Sequence, residues 1–420
     1  QMYKLDELNW RLGYCKNEND IPQKRVPATV PGAVQLDWAR AEGWEDYTYA
    51  DNYKQFSWME DVYWSYIAKL DIPDLAQNER VYFTCKGVDY RFKVKLNGRI
   101  IHEQEGMFTP IEIDLTNRAK SGDELEILIY PAPKRPGTSV GRAQADQCCK
   151  PAVSYGWDWH PRLIPLGIWD ETYLEIKPAC HISDTEVSYT LREDFYSADI
   201  VLDTCLSMSS QGSIVWKLFD PSGKQVLEKS SSAEAKIRLL HNLDDIELWW
   251  PNGQGKQALY LSRVELLDTE GRVVDQRECK VGFRTVQLVM HPGAWEYPKD
   301  FPKGRSNPPI TLDINGRQIF CKGSNWVNPE IFPGIMTEET YRPLVILAKE
   351  ANMNMFRVWG GGIVNKDSFF DLCDEHGIMV WQEFPLACNN YVGTPGYLKV
   401  LDQESKSIIK RLRPRASLVL

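Results

Sequence analysis

The chain has 420 residues, 49 Lys and Arg against 58 Asp and Glu for a formal net charge of −9, and 43% hydrophobic residues. At about 150 residues per domain that length predicts two to four domains, and the apolar fraction supports sizeable cores, which excludes a disordered or fibrous chain. The acidic balance gives no general attraction to nucleic acid or anionic membrane and suits a neutral or cationic partner, and no run of about 18 apolar residues marks a membrane span.

The start, Gln1-Met2-Tyr3-Lys4, lacks the apolar core of a signal peptide. Gln1 before Met2 reads as a processed or engineered end, so an export signal upstream stays open and the expected location leans outside the cytoplasm. The strand grammar begins near residue 58. Phe92, Val94 and Leu96 alternate with Arg91, Lys93 and Lys95, which puts the apolar set on one face, and Asn97-Gly98 supplies the positive-φ pair of a tight hairpin. Ile111, Ile113 and Leu115 repeat the period, as do Leu125, Ile127 and Ile129, before Pro131 and Pro133 close the run. Residues 1–178 are therefore expected to form an antiparallel β-sandwich, and 179–287, with Ile214, Trp216, Leu218 and the turn Asp220-Pro221-Ser222-Gly223, an immunoglobulin-like one. Trp249 and Trp250 are expected to support a sandwich core.

The grammar then changes. Gln318 to Lys322 reads as a strand, and Thr337 caps a helix whose first turn carries Glu338 and Glu339 and whose predicted buried stripe is Tyr341, Leu344, Val345, Leu347 and Ala348. Met355 to Trp359 is a second strand. A helix from about Lys366 stops at Gly377, a strand runs from Ile378 to Phe384, a long helix from Gly396 to Leu412, and Ser417 to Leu420 begins another strand. Repeated βα units imply a parallel sheet or barrel. A full barrel takes about 250 residues, so 288–420, about three units, is expected to be either an incomplete (β/α)8 barrel or an open sheet that needs other contacts.

Three clusters could carry chemistry. Tyr155-Gly156-Trp157-Asp158-Trp159-His160-Pro161 puts a carboxylate between two indoles, a natural sugar clamp: rings stack on apolar C–H faces while the carboxylate accepts hydroxyl protons. The competing reading is two packed indoles and a turn-capping Asp158. Phe356-Arg357-Val358-Trp359-Gly360-Gly361-Gly362 lies at a strand end, where barrels place active sites, but it lacks the order of a phosphate-cradling loop. Trp381-Gln382-Glu383-Phe384 ends the next strand, with Asn325-Trp326 equivalent after the first; Glu383 either faces substrate or pairs with Arg357. No nucleophile elbow supports Ser-His-Asp chemistry. The ten cysteines show no Cys-x-x-Cys spacing and read as buried free thiols, so neither metal nor cofactor is expected. Fifteen tryptophans are many for 420 residues, and part of that excess reads as ligand-facing.

At these residues the sequence resembles glycoside hydrolase family 2, in its β-mannosidase branch. Gly156-Trp157-Asp158-Trp159-His160-Pro161 with Gly167-Ile168-Trp169-Asp170 is similar to that branch's Trp-Asp-Trp loop, 248–260 and 281–285 to the end and exit of its immunoglobulin-like domain, and the stretches around Asn325-Trp326, Arg357-Val358-Trp359 and Trp381-Gln382-Glu383 to its first three barrel strands. His160 is a departure, since the branch often has Gly there. The resemblance implies a jelly-roll-like, sugar-binding-like sandwich over 1–178, an incomplete (β/α)8 barrel over 288–420, and a retaining exo-β-mannosidase using two glutamates about 5 to 5.5 Å apart, both on later barrel strands, so that this chain alone is expected to be inactive. The substrate-binding set it implies is Trp157, Asp158, Trp159, Arg357 and Trp359, with Asn325, Trp326 and Glu383 in support. Expected partners are a β-mannoside or related oligosaccharide and either the remaining barrel half or a second copy. The alternatives are a non-catalytic sugar-binding or interaction protein, or part of a related exo-β-glucosaminidase or β-galactosidase.

Overall fold

The computed structural model describes residues 2–292 and 310–420, so part of the expected third segment, 293–309, lies outside the described residues. The first sandwich packs a six-stranded sheet, ordered 26–27, 11–15, 63–69, 124–129, 91–96, 99–105, on a four-stranded one, ordered 3–4, 172–178, 79–85, 111–114. Its strands follow the predicted period: Val94, Ile127 and Ile129 are fully buried and Arg91 is exposed. Asn97 and Gly98 take φ of 48° and 80° and turn the hairpin. The second sandwich pairs 182–191, 198–206 and 236–243 in one sheet and 225–232, 213–219, 260–267 and 273–281 in the other, around buried Ile214, Trp216 and Leu218.

Two expectations change at the start of the third part. Gln318 and Ile319 do not open the parallel sheet: Arg317–Ile319 pairs antiparallel with Ile310–Ile314, because Asn315 and Gly316, φ 54° and 78°, make a tight turn. Trp249 and Trp250 pack with Leu312, Ile314, Ile319, Met355 and Met379, and so join the second sandwich to the parallel unit instead of filling a sandwich core. The Trp249 indole N–H donates to the Asp374 carbonyl at 2.9 Å.

The parallel unit consists of β1 (Gly323–Trp326), α1 (Glu338–Glu350), β2 (Met355–Val358), α2 (Asp367–His376), β3 (Met379–Gln382) and α3 (Pro395–Leu412). Thr337 and Thr340 form a reciprocal capping box at the start of α1. The stripe on α1 is narrower than predicted: Tyr341, Val345 and Ala348 are buried, whereas Leu344 and Leu347 lie on its flank and are exposed. Residues 417–420 run parallel beside β3, with Val380 N–H on the Ser417 carbonyl at 2.7 Å and Gln382 N–H on the Leu420 carbonyl at 3.0 Å. A jelly-roll-like sandwich, an immunoglobulin-like sandwich and the start of a (β/α)8 barrel thus follow one another. One apolar core runs without interruption from the first sandwich (Trp64, Phe83, Phe92) into the parallel unit (Phe332, Tyr341, Phe369), while the second sandwich has its own.

Helix α3 is the docking surface for the first sandwich. Glu404 is fully buried there. Its Oε2 accepts the Phe108 N–H at 2.8 Å, Ser407 Oγ donates to the Phe108 carbonyl at 3.0 Å, and Gln403 Nε2 donates to the Glu105 carbonyl at 3.0 Å. A Cβ at position 106 would lie 1.5 Å from Glu404 Oε1, so only Gly fits, at φ 119°. Burial pushes the Glu404 carboxyl up to about 8, against the Phe108 hydrogen bond. The folded protein therefore holds a proton that the unfolded chain releases above its ordinary 4.5, and stability falls as pH rises from about 4.5 to about 8, then levels. Thermal unfolding across that range should show a smaller pH slope for Glu404→Gln than for the wild-type chain; equal slopes would contradict this assignment.

Candidate active site

The loop between Lys150 and Pro165 projects from the first sandwich as an irregular hairpin. Leu163 N–H donates to the Ser154 carbonyl at 3.1 Å and Arg162 Nη1 to the Tyr155 carbonyl at 3.3 Å. At the tip, Trp157 N–H donates to the His160 carbonyl at 2.9 Å, which leaves Asp158 and Trp159 at the apex of a four-residue turn, Trp159 44% exposed. His160 is buried, its Nδ1 2.6 Å from the Pro161 carbonyl, so the proton is assigned to Nδ1. Burial lowers its pKa below the ordinary histidine value. A neutral His160 therefore anchors the turn from inside, a packing role that a glycine there would not fill.

The parallel strands supply the facing side. Asn325, Arg357 and Trp381 are register partners on β1, β2 and β3 and share one face. Arg357 Nη2 donates to both Glu383 oxygens at 3.0 Å, its Nε donates to Oε2 at 3.2 Å, and its Nη1 donates to Asn325 Oδ1 at 3.3 Å. Gly360 N–H donates to Glu383 Oε1 at 3.0 Å. Glu383 thus aims the guanidinium and fixes the start of the glycine run, and its lone pairs are engaged in doing so. A Cβ on residue 361 would fall 2.3 Å from the Trp359 ring, so the glycine lets that indole fold back over the strand end.

The two sides meet through indoles. Ring centroids of Trp157 and Trp159 lie 5.4 Å and 6.5 Å from that of Trp359, and the Arg142 guanidinium stacks on Trp157 at 3.9 Å. Trp157 divides two cavities. The inner one, about 350 Å³, is lined by Trp157, Trp159, Asn325, Val327, Arg357 and Trp359. The outer one, about 610 Å³, is lined by Arg142, Trp157, Asp158, His160 and Arg162 among others. Asp158 thus lines the outer cavity and not the inner one.

Trp326 does not join the site. Successive strand residues point to opposite faces, so with Asn325 on the open face Trp326 points to the helices. It is 7% exposed and packs on Tyr341, Phe356 and Phe369. Arg142 and Arg162 were not singled out in the sequence. Arg162 is tied by Glu60 at 2.7 Å and Gln144 at 2.6 Å, contacts between segments far apart in the chain. Their one sequence signal was proximity to the Trp157 loop. Among the described residues no group of three or more His, Cys, Asp or Glu could hold a metal ion.

Comparison with known proteins agrees with this architecture. Residues 10–170 match the glycosyl hydrolase 2 galactose-binding domain-like family and residues 180–284 the glycosyl hydrolases family 2. The chain belongs to glycoside hydrolase family 2. It is 30% identical to β-mannosidase B of Aspergillus terreus, covering 94% of this chain and 47% of that protein. With the β-mannosidase of Capra hircus it shares 27% identity, covering 98% and 48%. The β-D-mannosidase structure from Dictyoglomus thermophilum superposes with a TM-score of 0.83 and 31% identity, over 100% of this chain and 51% of that one. An exo-chitosanase of Amycolatopsis orientalis, 18% identical with a TM-score of 0.74 over 100% of this chain and 48% of that one, shares the fold. The chain spans about half the length of the curated relatives it matches and corresponds to their N-terminal half.

The placements of the two tryptophans differ enough to separate by mutation. Trp159→Phe should change stability by no more than about 0.5 kcal/mol while lowering the acrylamide-quenchable fluorescence. Trp326→Ala should cost about 3–5 kcal/mol, because it opens a cavity between strand and helix layers. Denaturant unfolding checks both, and a neutral Trp326→Ala would contradict the burial.

Proposed function

We propose that this chain forms the substrate-facing wall of a retaining exo-β-mannosidase, with Trp157, Trp159 and Trp359 as stacking surfaces and Arg357 and Asn325 as hydroxyl-directed polar groups. The observation that carries this reading is the inner cavity, where indoles from two domains converge above a guanidinium already oriented by Glu383. Flat apolar rings recognise the C–H face of a pyranose, and fixed donors read its hydroxyls. A cavity closed on one side by a domain outside the barrel suits a terminal sugar better than an internal one.

The lining also favours a neutral sugar over an amino sugar. None of the six residues around the inner cavity is acidic, Glu383 is committed to Arg357, and Asp158 lies on the far side of Trp157. Hydrolysis by two glutamates needs a nucleophile and an acid/base held about 5 to 5.5 Å apart. In this reading those groups come from barrel strands beyond β3, and the present residues bind and orient.

Titration calorimetry of the 420-residue chain with mannose should give weak, millimolar binding that disappears in Trp359→Ala. No heat, together with no competition by manno-oligosaccharides, would contradict the reading. The same chain should show no turnover of an aryl β-mannoside; turnover that survives repurification would place a catalytic pair within these residues.

A further inference from the structure

The Trp157 loop is tied at its base through one buried nitrogen. The Lys150 and Asp89 side chains are 1% and 3% exposed. Lys150 Nζ donates to each Asp89 oxygen at 2.6 Å and to the Pro165 carbonyl at 2.7 Å, which uses all three of its N–H bonds. Lys150 begins the loop and Pro165, fifteen positions on, ends it. Asp89 comes from a different part of the chain and is the register partner of Gly167, two residues past the loop's end. The chain entering the loop, the chain leaving it and the two-stranded pairing of Val88–Asp89 with Gly167–Ile168 therefore meet at a single ammonium group.

Above that point the contacts are nested. Ser154 meets Leu163, Tyr155 meets Arg162, and Trp157 meets His160. A displacement at the base is carried along this ladder to the turn that holds Trp157 and Trp159. His160 and Lys150 line the same narrow space beneath the turn, together with Asn328 and Ile363 from the parallel unit. Stability alone gives no account of such a pair, because replacing a buried ion pair with apolar residues of similar volume is often neutral or favourable. Apolar residues would, however, leave the Pro165 carbonyl without a donor and the loop's two ends unjoined.

We propose that Lys150, held by Asp89, is a positioning residue: it fixes the two ends of the loop so that Trp157 and Trp159 stand against Trp359 and complete the sugar-binding cavity. The positional part stands on the geometry, and the sugar-binding part rests on the function proposed above. The test uses the 420-residue chain labelled with 5-fluorotryptophan, with the Trp157, Trp159 and Trp216 resonances assigned by Trp→Phe substitution. In the double variant Lys150→Met with Asp89→Leu, the Trp216 resonance and cooperative unfolding should be retained, with a melting temperature lowered by only a few degrees through the unpaired Pro165 carbonyl. The Trp157 and Trp159 resonances should shift and broaden, and mannose affinity should fall by about tenfold or more. Asp89→Asn, which keeps one acceptor, should move the same two resonances less. Unchanged Trp157 and Trp159 resonances in a folded variant would overturn the proposal, and so would unfolding of both variants, which would make the pair a stability device. Absence of mannose binding by the wild-type chain would count against the sugar site alone, because the fluorine resonances report the loop's position without any ligand.

Discussion

The apolar core shared by the first sandwich and the parallel unit is the constraint on which the rest of the structure depends. Neither part of the site is complete without the other: the sandwich supplies Trp157 and Trp159, the parallel strands supply Asn325, Arg357 and Trp359. Loops on separately moving domains would not hold ring centroids 5.4 Å apart. Here the two are fused by continuous burial from Trp64 and Phe83 through Phe332 to Tyr341 and Phe369, and interiors packed at that density transmit position instead of absorbing it. The α3 contact adds direction, since Phe108 is held on both its N–H and its carbonyl by side chains of one helix.

Polar groups in the site follow a common pattern in which a charge is spent on orientation. Glu383 is committed to Arg357 and Gly360, Glu60 and Gln144 to Arg162, and Asp89 to Lys150. What is left facing the inner cavity is chiefly aromatic surface and directed donors, a combination suited to recognition. The outer cavity differs in character: Arg142, Arg162 and Asp158 give it charges of both signs. Trp157 belongs to both, with Arg142 on one side and Trp359 on the other.

Much of the architecture was legible because it rests on local rules. Period-two alternation at Phe92-Val94-Leu96 and Leu125-Ile127-Ile129, the Asn97-Gly98 turn, the Thr337 cap and the Gly377 stop each describe a few neighbouring residues, and each appears as expected. Asn315-Gly316 carried the same hairpin signal as Asn97-Gly98, and overlooking it placed the first parallel strand five residues early. That shift hid the alternation separating Asn325 from Trp326. The side of a turn on which Asp158 falls, the commitment of Trp249 to a domain junction and the meeting of Asp89 with Lys150 depend on packing between distant segments, which no local period encodes. The Arg357–Glu383 contact was legible as one of two alternatives, because both residues end adjacent strands.

A crystal of the 420-residue chain soaked with mannose tests the central claim, that one sugar site is built jointly by the first sandwich and the parallel strands. The account predicts a pyranose ring in the inner cavity, against the rings of Trp159 and Trp359, with hydroxyls within hydrogen-bond distance of Arg357 and Asn325. Sugar density confined to the outer cavity beside Arg142 and Arg162, with the space among the three indoles empty, would contradict it.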